Sequence, residues 1–274
     1  MPELPEVETI RQTLKQLVIN KTISYVEVYW PNIIKHPDVE TFKQLLENQA
    51  ITDIKRRGKF LLFILNDYVL VSHLRMEGKY YIQQQDDSLN KHTHVIFTFT
   101  NGEQLRYNDV RKFGTMHVFK KGEETTNKPL NQLGPEPFDE QFTFNYFAQR
   151  LKRTRRNIKS ILLDQTVVTG LGNIYVDETL FKAQVHPAKK GHSLTNEEIN
   201  AIQTYMKETL NDAIKQGGTT IRSYVDGQGE MGMFQQDLYV YGKEGEACHY
   251  CGGEIVKLRI SGRGTHVCRT CQKE

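Results

Sequence analysis

The sequence predicts an α+β chain of more than one domain: an N-terminal β-sandwich with flanking helices, a helical domain, and a C-terminal zinc-ribbon β-hairpin. Three observations predict it. Short β-rich runs crowd the first half, helical periodicity dominates the second, and all four cysteines fall in the last 27 residues. At about 150 residues per domain, a chain of 274 residues suggests two domains and a small appendage. The expected boundaries are 1–133, 134–218, a connecting loop over 219–240, and 241–274.

The apolar spacing of Val7, Ile10, Leu14, Leu17 and Val18 predicts a first helix, with Pro5 suited to its first turn. Residues 2–4 then stand immediately before that helix and are held by it. Between Thr22 and Phe119, strands are expected at Leu61–Leu65, Val69–His73, Lys79–Ile82, His94–Thr100, Gln104–Tyr107 and Thr115–Phe119. Asn-Asp, Glu-Gly, Asn-Gly and Lys-Gly turn signals bound them, and Asn101-Gly102 marks a hairpin. Residues 120–137 read as a linker. Helices follow over Phe142–Leu151, Asn157–Leu163 and Asn173–Ala183. Another runs from the Thr195/Glu198 capping box to the Gly217-Gly218 stop. The Gly-, Thr- and Ser-rich stretch Gly217–Gln236 is expected to contain a mobile loop.

The longest apolar run, Phe60–Leu65, is far short of the roughly 20 residues that cross a bilayer. The acidic, proline-broken N-terminus does not read as a secretory signal. A soluble, cytoplasmic chain without membrane partners is expected, and a monomer, because nothing suggests a dimer seam. A net charge of +3 identifies no partner, but its distribution is uneven. Arg150, Lys152, Arg153, Arg155, Arg156 and Lys159 fall in ten residues without an acid, and Lys55, Arg56, Arg57 and Lys59 form a second cluster. Such clusters attract polyanions or simply make a solvated face.

Cys248-x2-Cys251 and Cys268-x2-Cys271, sixteen residues apart, match the spacing of a four-thiolate zinc site. Four thiolates close a tetrahedral shell, so one structural zinc is expected, with His249 and His266 spare. The hairpin between the knuckles carries Lys257, Arg259 and the tip Ser261-Gly262-Arg263-Gly264, which suits phosphate contact or a protein partner. At the other end, Met1-Pro2 would yield a free secondary amine after methionine removal. Amines of this kind form iminium adducts with carbonyl carbons, although a lone Met-Pro start is ordinarily processing without chemistry.

Several motifs in order set a context for that proline. The opening Pro2-Glu3-Leu4-Pro5-Glu6-Val7-Glu8-Thr9 is followed by Arg57-Gly58-Lys59, His73-Leu74-Arg75-Met76-Glu77-Gly78 and Asp109-Val110-Arg111-Lys112-Phe113-Gly114. Leu133-Gly134-Pro135-Glu136-Pro137, Gly172-Asn173-Ile174-Tyr175 and the four-cysteine ribbon complete the series. Over essentially its whole length the chain resembles the bacterial formamidopyrimidine-DNA glycosylase family. The resemblance implies a base-excision-repair glycosylase and abasic-site lyase, nucleoid-associated, acting on 8-oxoguanine and formamidopyrimidines in double-stranded DNA, and on abasic sites. It also implies that the helical domain holds a helix–two-turns–helix element.

By that resemblance Pro2 is the nucleophile on C1′, Glu3 the acid that assists sugar-ring opening, and Lys59 a catalytic lysine near the base and 5′ phosphate. Arg263 matches the arginine on the phosphates flanking the lesion, assigned to δ-elimination. Met76, Arg111 and Phe113 match residues that fill the space of an everted nucleotide; physically, Met and Phe can wedge while Arg meets the orphaned base. Further DNA contacts match His73, Glu77, His92, Asn173, Lys257 and a basic residue of the 153–155 stretch, taken as Arg155. Thr219, Thr220, Ile221, Arg222, Ser223 and Tyr224 match a loop whose amides cap oxidised guanine. Two alternatives stand beside this: an endonuclease VIII-type enzyme for oxidised pyrimidines, and a zinc-ribbon protein that binds lesions without cutting.

Overall fold

The computed structural model describes residues 1–219 and 232–273. The chain divides into two compact units, Met1–Asn131 with Gly217–Gly232, and Gln132–Gln216 with Met233–Glu274. The first unit contains helix α1 (Leu4–Val18), β1 (Ile23–Val28), β2 (Ile34–His36), α2 (Val39–Leu46), β3 (Asp53–Arg57), β4 (Phe60–Ile64) and β5 (Tyr68–His73). It continues through β6 (Lys79–Gln84), β7 (Thr93–Phe99), β8 (Glu103–Asn108) and β9 (Thr115–Lys120). Two sheets form the sandwich, in the orders β1-β7-β8-β6 and β2-β9-β5-β4-β3. Every residue of β4 and β7 is buried, and Leu61, Phe63, Leu70, Phe97, Leu105 and Val118 share one core. The expected strands lie within a residue or two of those observed; β1, β2, β3 and α2 are additions.

Register explains what gathers at one end of this sandwich. Arg57 pairs with Phe60, Phe60 with His73, and His73 with Thr115, so the four stand in one row across the five-stranded sheet. In the other sheet Lys79 and Thr93 both pair with Asn108. The segments 74–78 and 109–114, which join β5 to β6 and β8 to β9, therefore cross between sheets at the same end. The Gly58-Lys59 turn and His92, just before β7, lie at that end too.

Helix α1 runs antiparallel to β3. Lys15 pairs with Asp53 at 2.6 Å, Arg11 donates to the Ile54 carbonyl at 3.3 Å, and Arg56 donates to Glu8 at 3.0 Å. Seven helical residues at about 1.5 Å each match three strand residues at about 3.3 Å each. Five more helical residues, from Glu8 back to Glu3, equal about two strand residues beyond Arg56. The first turn of α1 is thereby brought to the Gly58-Lys59 turn.

The second unit carries α3 (Phe144–Lys152), α4 (Ile158–Leu162), α5 (Asn173–Lys182) and α6 (Asn196–Lys215), then the hairpin β10 (Ile255–Ile260) and β11 (Arg263–Cys268). Thr143, Asn157 and Thr195 cap α3, α4 and α6 with side-chain oxygens. The capping box at Thr195/Glu198 forms as expected, and α6 ends just before Gly217. Helix α5 buries its middle on all sides, including two consecutive acids, Asp177 and Glu178. Among the described residues no helix is long and apolar enough to cross a membrane.

Candidate active site and nucleic-acid interface

At the start of α1, Pro2 and Glu3 are buried. Glu6, one turn on, is the fastener of this region: its Oε2 accepts the Glu3 backbone N–H at 2.8 Å. Its Oε1 accepts the Thr219 backbone N–H at 2.9 Å and faces the Thr219 hydroxyl at 3.3 Å. One carboxylate thus joins the turn bearing Pro2 to the root of the segment that follows Thr219. Thr220, Ile221, Arg222, Ser223 and Tyr224 lie outside the described residues. In the sequence Glu6 is one letter of the opening motif, and its place four residues after Pro2, in the first turn of an amphipathic helix, is the only signal of this role.

Lys59 is buried in the two-residue turn between β3 and β4. Arg56 braces that turn, donating to the Gly58 carbonyl at 3.1 Å while holding Glu8. In the neighbouring position of the row, His73 packs edge-on against Phe60 with ring centroids 4.5 Å apart. Its Nδ1 accepts the Arg75 backbone N–H at 2.9 Å, so a neutral ring carries its proton on Nε2, as a donor. Burial, then the positive charges of Arg75 and Lys59, push its pKa down to about 3. His73 is a neutral donor at physiological pH.

The two bridging segments present the wedge candidates. Met76 is half-buried and Glu77 exposed in the 74–78 turn, which is closed by the Gly78 N–H on the Leu74 carbonyl at 2.9 Å. Phe113 is 51% exposed, which removes it from the core, and the Arg111 guanidinium lies 4.8 Å from its ring centre. Buried Asp109 shapes this turn by accepting the N–H groups of Arg111 and Gly114 at 3.0 and 2.8 Å. Each segment also holds a non-glycine residue in the left-handed region, Arg75 at φ 54° and Lys112 at φ 57°, a strain that points to function when it clusters at one site. His92 is half-buried and its carbonyl accepts the Asp109 N–H at 2.9 Å.

In the second unit, Arg263 is exposed at the hairpin tip and Lys257 on β10, the latter 3.7 Å from Glu244. Side chains of α4 and α5 hold the tip. Lys159 Nζ and Asn173 Nδ2 both donate to the Gly264 carbonyl, at 3.1 and 2.9 Å. Asn157 Nδ2 and Ser160 Oγ meet Ser261 Oγ at 2.7 and 2.8 Å. Lys159 is fully buried against Asp177 at 2.6 Å, and Asp177 also accepts the His266 N–H at 2.9 Å. Glu178 accepts three consecutive backbone N–H groups, those of Tyr239, Val240 and Tyr241. Arg155 is exposed just ahead of α4. Asn173, expected to meet phosphate, here also supports the hairpin.

The sulfurs of Cys248, Cys251, Cys268 and Cys271 lie within 4.8 Å of one another, with Cys251–Cys268 at 3.4 Å and Cys248–Cys271 at 3.8 Å. Zinc–sulfur bonds of about 2.3 Å in a tetrahedron place sulfurs about 3.8 Å apart. The four thiols fit one structural zinc. Gln272 locks the second knuckle, accepting the Cys268 N–H at 3.1 Å and donating to the Val185 carbonyl at 3.0 Å.

Three family models match the chain. The formamidopyrimidine-DNA glycosylase N-terminal domain covers residues 1–116, the H2TH domain of the same glycosylase 133–225, and a zinc finger found in FPG and IleRS 245–273. A formamidopyrimidine-DNA glycosylase of Oceanobacillus iheyensis is 63% identical over 99% of this chain and 98% of its own length. That of Bacillus licheniformis is 57% identical over all of both chains. Among solved structures, the Lactococcus lactis Fpg in complex with DNA containing an abasic site superposes with a TM-score of 0.94 at 42% identity, covering 99% of this chain and 100% of that one. A variant of the same protein bound to DNA containing Fapy-dG matches with the same score and identity over the full length of both.

Proposed function

Because the chain belongs to the formamidopyrimidine-DNA glycosylase family, we propose that Pro2, Glu3, Lys59 and Arg263 carry out the glycosylase and abasic-site lyase reactions of that family on oxidised purines in duplex DNA. The observation that carries this reading is the meeting of the α1 start, the Lys59 turn and Thr219 at one end of the sandwich. Once Met1 is removed, the Pro2 nitrogen is a secondary amine. It attacks C1′ as the bond to the damaged base breaks, the base leaving with the bonding pair and taking a proton. Ring opening, assisted by proton transfer at Glu3, gives an iminium. That cation acidifies C2′; loss of a C2′ proton expels the 3′ phosphate, and a second elimination expels the 5′ phosphate.

The other residues bind and position. Neutral His73 offers its Nε2–H to a phosphate, and His92, Arg155, Asn173 and Lys257 serve the DNA backbone. Met76 and Phe113 enter the stack while Arg111 meets the orphaned base, with Glu77 beside the lesion. Thr219 begins the capping loop. Zinc takes no part in these steps; it fixes the hairpin that presents Arg263. DNA as substrate supports a location in the cytoplasm of a bacterial cell, on the nucleoid.

Borohydride reduction tests the chemistry. On a duplex with 8-oxoguanine opposite cytosine, processed protein should be trapped covalently at Pro2, and protein that keeps Met1, whose Pro2 nitrogen is an amide, should not. A cross-link mapped to a lysine overturns the assignment. Greater cleavage at thymine glycol opposite adenine would favour the endonuclease VIII-type specificity, and tight binding without trapping would favour a passive lesion binder.

A further inference from the structure

Tyr107, near the end of β8, is fully buried and is not among the residues expected at the site. Its hydroxyl points to the place where both bridging segments end. A Cβ added at Gly78 would stand 2.3 Å from the Tyr107 Oη and 2.7 Å from the Leu74 carbonyl oxygen. A Cβ added at Gly114 would stand 1.8 Å from the same Oη and 2.7 Å from Cζ. Both glycines are thus required by one phenol. The Oη is 3.4 Å from Asp109 Oδ2, the oxygen that also accepts the Gly114 N–H. Below the hydroxyl, the ring packs edge-on against Tyr80, and Tyr80 donates to buried Ser72 Oγ at 2.7 Å. The phenol therefore stands on the sandwich core and abuts the last residue of the Met76 turn and the last residue of the Arg111–Phe113 turn.

We propose that Tyr107, with Asp109, is a positioning residue that sets the spacing between Met76 and the Arg111–Phe113 pair, so that both turns enter the duplex as one rigid unit. The proposal rests on the reading of Met76, Arg111 and Phe113 as residues that fill the vacated stack. The advantage of a shared anchor is entropic. Two independent turns would each lose conformational freedom on insertion, whereas two turns already fixed to one buried ring have lost it on folding. Each turn also holds a residue in the left-handed region, and such strain persists only where the surroundings over-determine it. A shared hydroxyl also keeps Arg111 at a fixed height relative to Met76, which serves recognition of the base left unpaired.

The test compares two substrates in the full-length, zinc-loaded protein: excision of 8-oxoguanine opposite cytosine, and strand cleavage at a preformed abasic site in the same duplex context. Eversion costs least where no base is stacked and paired, so a spacing defect should weigh on the first and spare the second. Tyr107→Phe should slow excision roughly five- to tenfold, the weight of one long buried hydrogen bond and a loosened contact, and change abasic-site cleavage less than about twofold. It should also weaken the preference for cytosine over other opposite bases. Asp109→Asn, which leaves the aromatic core intact, carries the same expectation, so loss of fold in either variant leaves the other to decide. Equal slowing on both substrates, or none on either, overturns the proposal. Met76→Ala and Phe113→Ala are measured alongside. If they excise normally, the stack-filling reading itself fails; if they are slow while Tyr107→Phe and Asp109→Asn are not, the positioning role alone fails.

Discussion

The sandwich and the zinc hairpin each present a cation at a two-residue turn, Lys59 within it and Arg263 just after it, and fix it by different means. Gly58 takes φ 58° ahead of Lys59, and Ser261 and Gly262 take φ 50° and 76° ahead of Arg263, values that tight hairpins require. Below the Lys59 turn, β4 is buried along its whole length, and apolar packing settles where the lysine stands. Below the Arg263 tip, β10 is buried only at Ile255 and β11 from Thr265 to Cys268, over a small cluster of Phe181, Val240, Cys248, Ile255 and Cys268. The tip is held instead by the polar groups of Asn157, Lys159, Ser160 and Asn173, and the far end by four thiolates. A large core can fix a turn through register; a small ribbon needs metal and buried hydrogen bonds.

The strongest way to break this contrast is to remove zinc. Structural zinc contributes on the order of 10 kcal/mol to folding a small site of this kind. Metal-free protein should lose hydrogen-exchange protection over 245–273 and lose DNA binding, while β3, β4 and β5 stay protected. Undiminished affinity in protein verified as metal-free would show that the hairpin does not depend on its metal.

A smaller loss should follow Lys159→Met. It leaves the Asp177 carboxylate buried without its cation, which costs roughly 3–5 kcal/mol, and the double change Lys159→Met/Asp177→Asn should recover part of that. In the sandwich, Arg56→Ala breaks a partly exposed pair with Glu8 and should cost only about 1 kcal/mol. Denaturant unfolding of the three variants checks the ranking. Equal costs for Lys159→Met and Arg56→Ala would mean that the hairpin is not specially dependent on buried charge.

The same division decides what could be read from sequence. Strands such as Phe60–Ile64 and Thr93–Phe99 announce themselves because burial on both faces demands unbroken apolar runs. The cysteine pairs announce a zinc site because tetrahedral geometry dictates their spacing. Strand β3, Asp-Ile-Lys-Arg-Arg, reads as a charged surface cluster, since nothing local shows that Glu8, 48 residues earlier, receives Arg56. Glu6, Asp177 and Glu178 escaped notice for a related reason. A carboxylate whose partners are backbone N–H groups from distant segments leaves no mark on its own neighbourhood. The Asp177-Glu178 pair was visible only as two acids inside an otherwise apolar helical stretch, a pattern that becomes informative once α5 is known to be buried all round.

Buried ionisable groups also separate the two regions at lower energy, through pH. In the second unit Lys159 is buried beside an acid; in the sandwich His73 is buried beside two cations and is kept neutral. Unfolded His73 titrates near 6.5 and the native ring at about 3, so between these values the unfolded chain binds a proton that the folded one refuses. The associated stability is fully present above about pH 6.5 and is lost as pH falls towards 3. His117, lowered to about 4 by burial and by the charges of His36 and Lys35, acts in the same direction. Glu8 does not oppose this trend: burial raises its carboxyl, but hydrogen bonds from Arg11, Gln12 and Arg56 outweigh it and hold the group below its ordinary value. Between pH 6 and 5, His73 should contribute a slope of about 1 kcal/mol per pH unit. Urea midpoints of the native protein and His73→Gln across that interval measure it. The variant should be flatter by that amount, with His117 supplying the slope that remains; identical slopes would mean that the ring accepts a proton in the folded state.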